Sequence, residues 1–508
     1  MPLRNFPERH IGPRNNDTNE MLETIGVSSI NELIDKTIPQ QIRLKKPLDL
    51  HGSRSEHWYL RELEKLASKN KVYRTYIGMG YFNTIVPSAI QRNILENPGW
   101  YTAYTPYQAE IAQGRLEALM NFQTMVADLT GMDLSNASLL DEGTAAAEAM
   151  YMLSAVQKGP KKKAKTFFVS EDIFPQTLDV LKTRANSHGI NLMVGKLSEV
   201  DFSNEDLYGV YIQNPDNNGA VKDYTDFITA AHENAVLVCM GVDLMSLVFV
   251  KSPGEMGADA AIGNSQRFGV PLGYGGPHAA YLATREEYKR QLPGRIIGAS
   301  LDANGNNAYR MALQTREQHI KRERATSNIC TAQVLLGVLA GMYGVYHGPD
   351  GLKKIAGRIH GLAQHLASQA KPLGYTQLNE HYFDTLKLAL PEGTSDTDLK
   401  KNAEAAEINL RYFGNNVIGI SLDETTRFET VETITKVLAS ISSAKNKFKD
   451  ATEQEVAMPA SYQRKLVFMT HPVFNSYKAE HEMLRYIKRL ENKDVSLTHS
   501  MISLGSCT

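Results

Sequence analysis

The sequence predicts an α/β protein: a larger domain built on a mostly parallel sheet covered on both faces, followed by a smaller α+β domain. Three observations carry this. Short apolar runs at 166–170, 207–213, 236–240, 259–263 and 278–283 are separated by stretches of helical period or by turn-rich loops, the signature of βαβ units. The runs are apolar almost throughout rather than alternating, as strands buried on both faces must be. Beyond Arg316 the composition turns basic and helical, with three further strand-like runs at 383–390, 408–412 and 417–422.

Composition bounds the rest. A chain of 508 residues allows about three or four domains at ~100–200 residues each. An apolar fraction of 42% and a charged fraction of 22% suit a soluble globular protein with a large core, and a net charge of −1 recruits neither nucleic acid nor an anionic membrane. Cys239, Cys330 and Cys507 lie far apart with no CxxC pair, so neither a disulfide framework nor a metal site is expected. The opening MPLRNFPERHIGPRNND lacks the apolar core of a signal peptide and the acid-free pattern of a transit peptide, and a cytoplasmic protein is expected. Residues 328–346 carry no charge and could nearly span a bilayer, but Gly337, Gly341, Gly344, Asn328, Thr331 and Gln333 interrupt the run. It reads as a buried core or interface helix.

Taken in order, residues 1–75 read as a helical arm. Asp17 is placed as an N-cap with Glu20 three residues later and Gly26 closing the helix. Further helices are expected at 29–37 and 56–68, the latter with Leu60, Leu63 and Leu66 at helical spacing. Residues 76–315 form the large domain. It opens on a loop-rich aromatic region ending in Tyr101-Thr102-Ala103-Tyr104-Thr105-Pro106-Tyr107-Gln108, either a surface fitted to a ligand or partner, or aromatic packing under a long loop. Helices are expected at 109–130, 143–156, 176–188 and 226–234. Residues 316–444 make the small domain, with helices at 352–368 and 429–440. Residues 445–464, charged and poor in apolar side chains, read as a linker.

Residues 465–508 repeat the beginning of the chain. Glu56-His57-Trp58-Tyr59-Leu60-Arg61 aligns without gaps on Glu480-His481-Glu482-Met483-Leu484-Arg485, and Leu66 and Lys69 fall on Leu490 and Lys493, six identities in fourteen positions. Ile77-Gly78-Met79-Gly80 then finds a counterpart in Leu504-Gly505-Ser506-Cys507. A second copy is expected to start near Pro459, and the chain reads as part of a longer duplicated product.

The chemistry candidates sit at strand ends, where parallel sheets bind ligands. Gly143-Thr144 opens a helix where amides could cradle a phosphate, although Asp141-Glu142 before it favour a plain helix cap. Asp243 follows the 236–240 strand, and could pair with a pyridinium nitrogen or cap a turn. Gln266 follows the 259–263 strand. Gly273-Tyr274-Gly275-Gly276 reads as a tight turn. In its motif order the chain resembles the aspartate-aminotransferase-like (fold type I) pyridoxal phosphate enzymes, in which the position of Gln266 is a lysine. An imine needs a primary amine, and a carboxamide has none. Neither Lys251 nor Lys289 is well placed to replace it.

The longer runs Gly99-Trp100-Tyr101-Thr102-Ala103-Tyr104-Thr105-Pro106-Tyr107-Gln108, Asn136-Ala137-Ser138-Leu139-Leu140-Asp141-Glu142-Gly143-Thr144, Gln266-Arg267-Phe268-Gly269-Val270-Pro271 and Gly273-Tyr274-Gly275-Gly276-Pro277-His278 make the resemblance specific. The chain resembles the glycine cleavage system P-protein family (glycine dehydrogenase, decarboxylating), specifically its non-catalytic first half with the start of the second. The resemblance implies an enzyme that decarboxylates glycine on pyridoxal phosphate and passes the aminomethyl group to the lipoyl arm of an H-protein. It also implies a C-terminal half carrying the cofactor lysine, and a homodimer when complete. In this half it implies no catalytic residue, vestigial cofactor positions at Gly143, Thr144, Asp243 and Gln266, and an active-site wall at Tyr101, Tyr104, Thr105, Tyr107 and Gln108. The alternatives are a silent dimerisation or H-protein-docking module, and a free-standing pyridoxal enzyme using another lysine.

Overall fold

The computed structural model describes residues 12–52, 54–101, 106, 108–313, 318–325, 329, 332–444, 458–496 and 498–499. Tyr104, Thr105 and Tyr107 of the aromatic loop, Cys330, and the second glycine turn at 504–507 lie outside them. The chain folds as two units, Met1–Tyr73 and Arg74–Thr508.

The described residues of the first unit hold three helices, α1 (Asn15–Ile25), α2 (Ile30–Thr37) and α3 (Glu56–Ala67). Asp17 is not the N-cap expected from the sequence. It lies in the first turn of α1 and accepts from the Arg14 amide at 2.7 Å, so the helix starts three residues earlier and a carboxylate still satisfies the free amide. Ser29 caps α2 and Ser55 caps α3 through their hydroxyls, and Gly26 closes α1 in the left-handed conformation.

The second unit is built on a seven-stranded sheet: β2 (Leu134–Ser135), β3 (Thr166–Ser170), β4 (Asn191–Gly195), β5 (Leu207–Asn214), β6 (Leu237–Val242), β7 (Ala260–Asn264) and β8 (Ala280–Thr284), in the order β2-β8-β7-β6-β5-β3-β4. The pairs from β7 to β4 are parallel, and β8 is antiparallel to both of its neighbours. Helices α4 (Gln113–Thr130), α5 (Glu142–Val156), α6 (Pro175–His188) and α7 (Thr225–Glu233) complete this layer structure. Alternate strand residues feed two cores. Phe167, Val169, Tyr211 and Ile262 join Ala145–Leu153 of α5 on one face. Phe168, Val210, Ile212 and Met240 join Leu116, Phe122 and Val126 of α4 on the other.

A hairpin, β9 (Ile296–Leu301) with β10 (Asn307–Ala312), follows the sheet. The uncharged run then becomes the first part of α8 (Val334–Ala370), which breaks helical geometry at Gly348 (φ 62°) before Pro349. Residues 337–345 are all buried, and no helix among the described residues is long and apolar enough to cross a membrane. The small sheet orders β11 (Thr376–Gln377), β12 (Thr385–Ala389), β15 (Val417–Ser421) and β14 (Arg411–Gly414) and is antiparallel, with helices α9 (Asp396–Ala405) and α10 (Phe428–Ala439). The run expected as one strand at 408–412 divides. Its first residues, β13 (Ile408–Asn409), pair with β1 (Arg74–Thr75) instead.

The end of the described chain is not a free tail. The stretch read as a linker is anchored from Met458 on: Arg464 donates to the carbonyls of Asp128, Leu129 and Leu247. Helix α11 (Glu480–Glu491) buries Met483, Tyr486, Ile487 and Leu490 in the core that contains α4.

Candidate functional site

The carboxyl ends of β5, β6 and β7, the start of α5, the loop 78–85 and the edge of the small sheet converge on one cleft. Glycine opens the loop for a steric reason: at Gly78 (φ 69°) a Cβ would sit 2.1 Å from Ser421 Oγ.

Gln266 follows β7 and is 2% exposed. Its Nε2 donates to the carbonyls of Phe82 and Val270, each at 2.8 Å, and its Oε1 accepts from the Phe82 amide at 2.9 Å. The reciprocal pair with Phe82 fixes the orientation of the carboxamide, because the amide needs an acceptor and the carbonyl a donor. Both donors are used. Gln266 therefore works as a clamp that holds the loop across the strand end.

Arg267, next in the chain, is the group sequence reasoning missed. Its Nη1 bonds Asp243 at 2.6 Å and Asp384 of the small domain at 2.8 Å, and its guanidinium lies 3.8 Å from the centre of the Phe82 ring. Burial works against the charge, but the two carboxylates outweigh it and hold Arg267 protonated more firmly than usual. The only signal in the sequence was a cation in the turn directly after a fully apolar strand.

Asp243 is thereby engaged twice. Besides the ion pair, it accepts from the amides of Met245 and Ser246, each at 3.2 Å, which is the turn-capping reading of that residue. The proposed phosphate cradle is also internally satisfied. Asp141 Oδ1 accepts from the Thr144 amide at 2.7 Å and from its hydroxyl at 2.8 Å, closing a capping box. Gly143 is small because a Cβ there would meet Val180 of α6 at 2.9 Å, so helix packing rather than a ligand explains it. Glu142 takes the adjoining position. Its Oε2 accepts from Asn264 at 2.8 Å, and its Oε1 has no partner among the described residues. Burial pushes its carboxyl up to about 7 against that hydrogen bond, with the charges of Asp243 and Asp141 adding to the shift.

The space left is a cavity of about 40 Å³, lined by Phe82, Glu142, Asp243, Asn264 and Asp384 among others. At ~10–15 Å³ for each water it holds about three. A pyridine ring with a phosphate does not fit, no lysine among the described residues lines the cavity, and Glu142 lines it with a carboxylate. Lys251 is committed to Asp223 at 3.0 Å and Lys289 to Glu286. These residues do not suit pyridoxal phosphate.

Elsewhere, Gly273-Tyr274-Gly275-Gly276 forms the expected turn, with the amides of Gly275 and Gly276 both donating to the Leu272 carbonyl. Of the described members of the aromatic loop, Tyr101 and Gln108 are exposed and lie outside the cavity lining.

The model of the glycine cleavage system P-protein family matches residues 8–438. The chain belongs to that family. It is 54% identical over its whole length to a glycine dehydrogenase (decarboxylating) of Christiangramia forsetii, covering 53% of that protein. It is 51% identical to a mitochondrial counterpart of Flaveria trinervia, covering 49%. The chain thus spans about half the length of the curated relatives it matches. A crystal structure of glycine decarboxylase (P-protein) of the glycine cleavage system, in inhibitor-bound form, superposes with a TM-score of 0.76 at 30% identity, covering 84% of this chain and 99% of that one. A sphingosine-1-phosphate lyase of Burkholderia pseudomallei shares the fold at 10% identity and a TM-score of 0.58, over 78% of this chain and 92% of that one. The pyridoxal-phosphate-transferase fold expected from the sequence is the fold observed.

Proposed function

We propose that this chain is the lysine-free half of a glycine decarboxylase, and that it builds and supports an active site whose cofactor is held by a sister half. The observation that carries the reading is the clamp at Gln266. The position that holds the cofactor in this fold is occupied by a carboxamide with both donors committed, in front of a cavity that admits only water. A half built this way serves by shape. Pyridoxal phosphate, bound in the sister half, supplies the electron sink that decarboxylation of an amino acid requires. The part of this chain is to offer a wall, with Tyr101, Tyr104, Thr105, Tyr107 and Gln108 facing that site. The aminomethyl acceptor in this reading is a lipoylated H-protein, the complete enzyme a homodimer, and its compartment the cytoplasm, as the bacterial relatives support.

The layout is supported by a half-length match to the curated relatives alongside 99% coverage of a solved P-protein chain. Reconstitution tests it. Glycine–bicarbonate exchange is expected only when this chain and the lysine-bearing half are combined, with neither active alone. Full exchange by the lysine-bearing half without this chain would overturn the reading, as would exchange by this chain alone.

A further inference from the structure

Helices α3 and α11 begin and end at equivalent positions of the internal repeat, yet their surroundings differ. In α11, Met483, Ile487 and Leu490 are at most 1% exposed. The aligned residues of α3 are Tyr59, Leu63 and Leu66, which are 57%, 46% and 60% exposed, and α3 buries none of its residues. An apolar stripe at helical spacing with no cover needs a partner.

The contact made by α11 specifies that partner. Its last turn comes so close to α4 that a Cβ at Gly114 would lie 1.9 Å from the Leu490 carbonyl. Asp494, just beyond α11, then caps the first turn of α4. It accepts from the amides of Gly114 at 2.6 Å and Arg115 at 3.1 Å, and from Arg115 Nε at 2.8 Å. Lys493 bridges to Glu117 at 2.7 Å, and Asn121 donates to the Tyr486 hydroxyl at 2.7 Å. The repeat keeps these functions in α3: Lys69 aligns with Lys493, and Asn70, a residue that caps helices as well as aspartate does, aligns with Asp494. Glu62 stands in place of Tyr486 and is likewise an acceptor.

We propose that α3 docks through Tyr59, Leu63 and Leu66 onto the helix of the sister half that corresponds to α4, with Asn70 capping that helix. The element leading into the second repeat lies on the first domain, and the arm of the first repeat lies reciprocally on the second. The two halves are clasped by exchanged helices. The proposal rests on the existence of a lysine-bearing sister half.

The test is photo-cross-linking in the complex of this chain with the lysine-bearing half, joined or separate, with benzoylphenylalanine in place of Tyr59. Cross-linked peptides are expected from the sister segment that aligns with Gln113–Thr130. Cross-links confined to this chain's own residues, or to a second copy of it, would overturn the docking while exchange activity of the pair kept the functional reading intact. A pair that neither associates nor exchanges would overturn both. With separate halves, L63D/L66D should weaken association roughly tenfold or more, and Glu64→Ala on the opposite side should not. Equal affinity for L63D/L66D and the unaltered chain would also overturn it.

Discussion

The two ends of the segment joining β7 to β8 have opposite fates. Gln266 and Arg267 are buried, with their side chains bonded to Phe82 of the loop 78–85, to Val270, to Asp243 and to Asp384. Eight residues later, Tyr274 is 88% exposed and holds a left-handed φ of 54°, a conformation disfavoured for a bulky side chain. The strand end after β7 is a structural joint here. The accessible, strained aromatic lies on the surface instead. A duplicated domain can keep its fold while its site is refilled with its own side chains.

The largest effect that would break this contrast is expected at Arg267. Arg267→Met leaves Asp243 and Asp384 facing each other without their cation, and should cost about 3–5 kcal/mol, read as a lower denaturant midpoint. A midpoint within experimental error of the unaltered chain would remove Arg267 from its role as the joint between the domains.

Next in size is the clamp. Gln266→Lys introduces the primary amine that an imine needs, but it takes the acceptor from the Phe82 amide and buries an ammonium. A loss of about 2–3 kcal/mol is expected, with no cofactor binding, since a cavity of about 40 Å³ is too small for the cofactor. A stable variant that forms a reducible imine would mean that the loop yields easily.

Glu142 sharpens the comparison through pH. Its folded-state value of about 7 lies above the usual 4.5. The protonated form is therefore the one the fold prefers, so this contribution is complete below about pH 4.5 and is lost as pH rises through about 7. Glu142→Gln keeps an acceptor for Asn264 and cannot ionise. Relative to it, the unaltered chain should lose on the order of 2 kcal/mol between pH 5 and pH 8. Parallel stability curves for the two would show that Glu142 is charged throughout. The smallest effect belongs to the exposed end: Tyr274→Gly, relieved of the left-handed strain, should change stability by less than about 1 kcal/mol in thermal unfolding.

Much of this architecture was legible because it is written locally. The run at 166–170 is β3 to the residue, and the glycine-terminated helices ending at Thr130 and His188 stop where their left-handed Gly131 and Gly189 require. What escaped depends on distant partners. β4 is an edge strand whose residues are exposed or half-buried, and its apolar run is only Leu192-Met193-Val194. The 408–412 stretch divides because β1, more than 300 residues earlier in sequence, claims its first residues. At the site, that Gln266 offers no primary amine was plain from residue type alone. That Glu142 is buried against Asn264 and that Arg267 ties Asp243 to Asp384 followed only once these distant residues were brought beside them.

The central claim is that the place of the cofactor in this half is closed. Equilibration of the chain with pyridoxal phosphate, borohydride reduction and peptide mapping tests it directly. The account predicts no stoichiometric label at any single lysine. One lysine labelled to completion, with the label blocked by glycine, would contradict it.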